Sequence, residues 1–318
     1  AGMRTTVDTG ARGGERGRMR RRPRVDVHQH VWPASFVDAL RARSAPPRLD
    51  GWVLHLPGEP PYRVDPADHS VAARTALAVR DGIDLALVSL SSPLGIEELP
   101  AEESRPLLDA YHEGALSLPD RFGVWAAAGL AEPDPETLRE VLAAGCVGLQ
   151  LPATALADSA GFDRCAPLLA ELERAHKPLF VHPGPAAAPG APPWWPAMVS
   201  YVTQMHAAWF AWHEFGSRRF PALRVLFAML AGLAPLHADR MAMRGGPGGI
   251  PGAGVYVETS SYGREVVAAV TARLGEDRVL LGSERPYARP LVLGGAAGMR
   301  LRTDNPARFF AMVPAQTR

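Results

Sequence analysis

Cysteine is scarce in this chain: two residues, Cys146 and Cys165, among 318. Both lie in apolar surroundings and neither has metal-ligand spacing, so they read as reduced packing thiols of a cytoplasmic protein. A surplus of one charge is also missing. The formal net charge is +1, which makes no general case for nucleic-acid or membrane partners. No apolar stretch is long enough to span a bilayer, and there is no secretory hydrophobic region. What the chain has in plenty is glycine and proline, 31 of each and spread throughout. That distribution predicts many tight turns and long structured loops. An apolar fraction of 47% supplies a sizeable core.

The one charge run is ARGGERGRMRRRPR, residues 11–24. It is rich in Gly and Arg and has no apolar periodicity, so residues 1–22 are expected to form a disordered basic arm. Met19 stands just before the ordered part, where an over-extended start would leave it. Residues 23–318 are expected to form a single domain, and no nucleic-acid partner is expected.

Short apolar runs recur between helix-like segments. They are RVDVH (24–28), IDLALVSLS (83–91), FGVWAAAGL (122–130), CVGLQLP (146–152), KPLFVHP (177–183), LRVLFAML (223–230), GVYVETS (254–260) and RVLLGSE (278–284). Helices are predicted from Glu136 to Ala144, Cys165 to His176 and Gly263 to Leu274. Eight buried strands alternating with helices predict a (β/α)8 TIM barrel. The alternative, an open doubly wound sheet, lacks a Gly-rich phosphate turn after the first strand. Two connections exceed ordinary loop length. The first, Trp32 to about Asp81, holds LDGWVLHLPGEPPYRVDP (49–66) and predicts a small cap after strand 1, then a helix from about Asp68. The second, GPAAAPGAPPWWPAMV (184–199), is Pro-rich and carries paired tryptophans. Both follow strand C-termini, where barrel enzymes build their sites.

In RVDVHQH, Asp26, His28 and His30 fall at alternate positions and share one face of a strand. Buried polar groups of that kind need partners. Asp26 is expected to brace the strand end. The fifth run ends at His182, the seventh at Glu258 and the eighth at Glu284. Barrel topology brings such ends to one cavity. His28, His30, His182 and Glu284 then make a set of three histidines and a carboxylate suited to one divalent metal, Zn2+ first, with Fe2+ or Mn2+ also served by these donors. An open position there would hold water of lowered pKa, a nucleophile near neutral pH.

The chain from about 24 to 312 resembles the amidohydrolase superfamily, in its amidohydrolase-2 branch. That branch includes aminocarboxymuconate-semialdehyde decarboxylase, related aromatic-acid decarboxylases and pyrone-dicarboxylate lactonases. The carriers are DVHQH, VHPGP, FAMLAGLAP, GSERPY and DNPARFF (304–310), in order and at barrel spacing. The resemblance implies His28, His30 and His182 as metal ligands, Glu284 as ligand and catalytic proton shuttle, and a homodimer. Two positions depart from the branch's pattern. Met229 stands where its sixth strand carries a histidine, and a thioether takes no proton. Glu284 replaces the usual Asp, one methylene longer. His237, in the loop after GLAPL, is the candidate replacement acid/base.

Substrate-binding candidates are Gln150 at the end of the fourth run, Trp194 and Trp195 as walls, Arg285 as a bidentate carboxylate clamp, and Tyr287. The leading expectation is a metal-dependent hydrolase in which metal-bound water attacks an ester, lactone or amide carbonyl. The alternative is a non-oxidative decarboxylase of an aromatic or muconate-like acid. A third reading, a non-catalytic descendant, is motivated by Met229 and Glu284. The partner expected in the first two is a small-molecule carboxylate, lactone or amide.

Overall fold

Eight parallel strands succeed one another around a barrel in chain order. The computed structural model describes residues 21–246, 252 and 254–311. The expected basic arm therefore lies outside the described residues except for its last two. Those ion-pair with the barrel: Arg21 with Asp84 at 2.9 Å and Arg22 with Asp304 at 3.2 Å.

The first barrel strand is β1 (Val25–Gln29). Three short strands, β2 (Arg48–Asp50), β3 (Val53–His55) and β4 (Tyr62–Arg63), form a separate antiparallel sheet. The barrel resumes with β5 (Leu85–Val88), β6 (Phe122–Ala126), β7 (Gly148–Pro152) and β8 (Leu179–His182). It ends with β9 (Val225–Phe227), β10 (Val255–Glu258) and β11 (Val279–Leu280). Each barrel strand falls inside one of the eight apolar runs, β1 reaching one residue further. The strands pair in the order β1-β5-β6-β7-β8-β9-β10-β11, every pair parallel. The small sheet occupies the expected cap after β1.

Closure joins β1 to the chain around β11. Val27 N–H donates to Leu281 O (2.9 Å), His30 N–H to Arg285 O (2.7 Å) and Glu284 N–H to His28 O (2.9 Å). Asp26 serves this seam and not the cavity. Its Oδ1 accepts from Ser283 N–H at 3.0 Å and from His28 N–H at 3.2 Å, and its Oδ2 accepts from Gln29 Nε2 at 2.7 Å. A β-bulge between Asp26 and Gln29 locally breaks the register with β5, a device that re-aims side chains.

The interior is filled with bulky side chains, as a barrel of this size requires. Trp125 and Phe180 are fully buried with ring centroids 5.1 Å apart, and the Trp125 indole N–H donates to Val27 O at 3.0 Å. Phe180 in turn lies edge-on to His28 at 5.0 Å. This aromatic layer forms a dry floor for the polar residues above it.

The helices begin where their caps dictate. Asp134 accepts from Glu136 and Thr137 N–H, and Pro135 occupies the first turn of the Pro135–Ala143 helix, a favoured start. The helix predicted from Cys165 spans Ser159–Arg174 instead, because Asp158 caps it earlier through Gly161 N–H at 2.8 Å. The predicted Gly263–Leu274 helix is found as Arg264–Leu274. The helix expected from Asp68 splits into a single turn, Pro66–His69, and Val71–Arg80, with Asp65 and Ser70 capping each start. Cys146 and Cys165 are both buried free thiols, raised in pKa by burial, Cys146 to about 12. Among the described residues no helix is long and apolar enough to cross a membrane.

The seam makes a stability prediction. Asp26→Ala orphans three buried donors at once and is expected to cost about 2–4 kcal/mol. Denaturant titration against the native chain measures it. A change under about 0.5 kcal/mol, the range of an ordinary surface substitution, would show that the seam does not depend on this carboxylate.

Candidate metal centre

The C-terminal strand ends converge as the topology requires. His28 and His30 come from the end of β1, His182 is the last residue of β8, and Glu284 follows β11. One ligand atom from each of the four lies within 4.8 Å of the others. His28, His30 and His182 are buried.

The hydrogen bonds behind these imidazoles settle their tautomers. His30 Nδ1 lies 3.1 Å from Ser89 O, and His182 Nδ1 lies 2.8 Å from Pro183 O. A carbonyl only accepts, so both Nδ1 atoms carry hydrogen. His28 Nδ1 faces Glu258 Oε1 at 3.2 Å and donates to that carboxylate. Each Nε2 is then left with a lone pair, and the three rings meet edge to face with centroids 4.8–5.2 Å apart. His28 Nε2 and His30 Nε2 stand 3.0 Å apart. His182 Nε2 is buried without any partner. Facing lone pairs repel unless a cation stands between them, and one proton could serve only one pair. Three neutral imidazoles and a carboxylate aimed at one point fit a divalent metal.

Titration behaviour follows the same geometry. Burial opposes protonation of His28, but the hydrogen bond and charge of Glu258 outweigh it and push this imidazole up. Burial and the neighbouring His28 push His30 and His182 well down. Burial also raises the Glu284 carboxyl, partly offset by His28 and by Ser261; Ser261 Oγ donates to Glu284 Oε2 at 2.7 Å.

Glu258 is the hub behind the centre. Besides His28, its carboxylate accepts from Met229 N–H (2.8 Å), Ser260 N–H (2.6 Å) and Ser260 Oγ (2.6 Å). A Cβ placed on Gly282 would stand 1.9 Å from Glu258 Oε2. The glycine of the GSE motif is thus explained by the close approach of this carboxylate.

Met229, after β9, turns its side chain into the cavity. It opens a run of five left-handed residues, Met229 to Leu233, with φ between 49° and 68°. Gly232 alone in that run lacks the Cβ penalty of about 1–2 kcal/mol per residue. The Met229 N–H bond to Glu258 and the complete burial of Leu230 and Ala231 hold the turn. Glu284 is also left-handed, at φ 55°.

Above the centre opens a cavity of about 570 Å3, floored by His30, His182, Glu284 and Met229. The cap sheet contributes Tyr62, and Leu56 lies in the loop between β3 and β4. The chain after β8 contributes Met198, Tyr201 and Val202. Ser261, Tyr262 and Tyr287 complete the rim, with the Tyr287 ring 5.5 Å from that of His30. Of the residues singled out from sequence, His30, His182, Met229, Glu284 and Tyr287 line this space, and His28 sits directly behind it.

The other candidates lie elsewhere. Arg285 turns away and ion-pairs with Asp81, so it is not placed to clamp a substrate. Gln150 is wholly buried and donates to Leu90 O (2.7 Å) and Ser92 Oγ (2.8 Å). Trp194 and Trp195 are 57% and 39% exposed and pack on each other; the residues one turn later form the wall. His237 packs against His206, with centroids 5.2 Å apart, and not against the cavity. Sequence reasoning missed the cavity roles of Ser261, Tyr62, Tyr201 and Tyr262. For Ser261 and Tyr262 a signal existed, since SSY follows Glu258 one residue on.

Fold and centre together define a class: a (β/α)8 barrel carrying three histidines and a carboxylate around one point at its C-terminal face. No family model and no curated protein matches the chain. Among solved structures, the barrel is similar to IDCase of Metarhizium anisopliae in apo form (TM-score 0.69, 16% identity, covering 91% of this chain and 97% of that one). It is similar to 5-carboxyvanillate decarboxylase of Novosphingobium aromaticivorans complexed with manganese and 4-hydroxy-3-methoxy-5-nitrobenzoic acid (0.68, 17%, 94% and 98%). It is also similar to 2,6-dihydroxybenzoate decarboxylase from Rhizobium (0.63, 18%, 92% and 99%). The chain therefore has the fold of these structures.

Two measurements check the centre. Elemental analysis of chelator-free protein is expected to find about one equivalent of a divalent metal, lost in both His28→Ala and His182→Ala. Full metal content in either variant would remove that residue from the ligand set. Glu258→Gln keeps the shape but leaves one acceptor oxygen for several donors. It is expected to weaken metal retention about 10–100-fold against a competing chelator.

Proposed function

We propose that this chain is a metal-dependent, non-oxidative decarboxylase of an aromatic or similarly unsaturated carboxylic acid. The observation that carries this reading is an apolar, phenol-rimmed cavity standing directly on the His28–His30–His182–Glu284 centre. Its fold neighbours support the choice over hydrolysis, since their names describe decarboxylases of aromatic acids. His28, His30, His182 and Glu284 would hold the metal. When bound, it would supply Lewis-acid charge to the reacting end of the substrate. Three imidazoles and a carboxylate suit Zn2+, Fe2+ and Mn2+ alike; the manganese in that neighbour supports Mn2+ here.

The chain's own residues do the rest. The aromatic and aliphatic walls strip water from the substrate and hold the ring over the floor. The bond between the ring carbon and the carboxylate breaks, its electron pair stays on the ring carbon, and CO2 leaves. That carbon then takes a proton. Met229 cannot carry one, and Glu284 is the carboxyl among the residues lining the cavity. We assign the proton to a Glu284 carboxylate oxygen, with Ser261 fixing the other. The second reading, hydrolysis of an ester or lactone, uses the same ligands with Glu284 as base towards water.

Metal-loaded protein assayed on hydroxybenzoic acids and on lactones separates the two. CO2 release from the acids is expected, and Glu284→Gln should lower kcat at least about 100-fold, with its metal content measured alongside. Lactone turnover without CO2 release would replace this reading with the hydrolase. Inactivity on both classes would leave neither.

A further inference from the structure

The charges around the cavity narrow the substrate beyond its class. We propose that this cavity admits a single anionic group: its substrate is a hydroxylated monocarboxylate whose ring-sized body is otherwise uncharged. The inference rests on the carboxylate-binding reading above.

The nearby cations are already committed. The Arg285 guanidinium is paired with Asp81. Arg74 reaches the back of the centre but spends its two terminal nitrogens on His30 O, Asp68 O, Gln29 Oε1 and Arg285 O, leaving only a buried Nε–H without a partner, and it is not among the residues lining the cavity. Among the described residues the cavity lining includes no Arg or Lys. The apolar lining includes Leu56, Pro93, Leu94, Met198 and Val202, which offer an anion nothing in exchange for its hydration.

The centre itself holds little spare positive charge. Glu284 at the floor and Glu258 behind His28 would already offset a divalent ion held there. The charge left over would match one substrate carboxylate. A second, on the far side of a ring, would sit against hydrocarbon and phenols. Those phenols are suited to a neutral substituent. Desolvation raises the pKa of Tyr62, Tyr201 and Tyr262. They therefore stay uncharged and both donate to and accept from a substrate hydroxyl.

The test is calorimetric titration of the metal-loaded holoprotein with salicylate and with 4-hydroxyisophthalate, the same ring bearing one more carboxylate. The native chain is expected to bind salicylate at least about tenfold more tightly. Met198 lines the cavity and is 63% exposed, so Met198→Arg tests the cause without disturbing the core. It is expected to narrow the ratio about tenfold by giving the second carboxylate a partner. If the native chain binds 4-hydroxyisophthalate as tightly as salicylate, the inference falls and the carboxylate-binding reading stands. If neither binds, both fall. An unchanged ratio in folded Met198→Arg would overturn the claim that a missing cation sets the selectivity.

Discussion

Three imidazole lone pairs aimed at one point are the constraint on which the rest of this structure depends. Each histidine has its Nδ1 hydrogen taken by a fixed acceptor: Glu258 for His28, Ser89 O for His30, Pro183 O for His182. With both rings neutral, the 3.0 Å approach of the His28 and His30 Nε2 atoms is repulsive, and a single proton there would still leave His182 Nε2 without a partner. A buried polar cluster of this kind is costly unless fully satisfied. The barrel has concentrated that cost at one place, beside a cavity open to small molecules. Such a cost is more readily explained by function than by stability.

The same atoms that present the ligands also close the barrel. His28 O accepts from Glu284 N–H, and His30 N–H donates to Arg285 O, so ligands from the first and last strands are tied through their own backbones. Asp26 bridges that seam. Glu258 ties His28 to the left-handed turn beginning at Met229, and Gly282 leaves room for it. Ligand geometry here is thus a property of the seam, held by backbone on one side and a carboxylate hub on the other. A side chain moved by about 1 Å in such a site is expected to lose much of its chemistry, and the seam is what holds these side chains in place.

The cavity above the centre is built from the connections between strands. The cap sheet, the chain after β8 and the loops after β10 and β11 each contribute a tyrosine. These connections vary most freely on a barrel, and here they surround the centre with hydrocarbon and neutral phenols. That pairing of concentrated polarity below and dry walls above is what the proposed decarboxylation rests on, a reaction in which charge spreads out of a carboxylate.

The eight strands and the four clustered side chains, His28, His30, His182 and Glu284, were legible in the chain because both are local signals. Buried strands are short apolar runs, and histidines or acids at their ends stand out against that background. The resemblance of DVHQH, VHPGP and GSERPY to one family then set the order of the ligands. Met229 was legible in the same way, as a thioether where a proton carrier is expected. Side-chain direction was not legible. Arg285 follows Glu284 in sequence yet turns to Asp81, a partner 204 residues away in the chain. Trp194 and Trp195 stand in the right segment but one turn too early, because helical phase decides which residues face inward. Glu258 was legible only as the end of the seventh run; folding is what surrounds its carboxylate with four donors. Sequence alone determined the barrel and which polar side chains stand at its strand ends. Tertiary structure decided which charges are spent on neighbours and which face the cavity, since that depends on contacts between residues far apart in the chain.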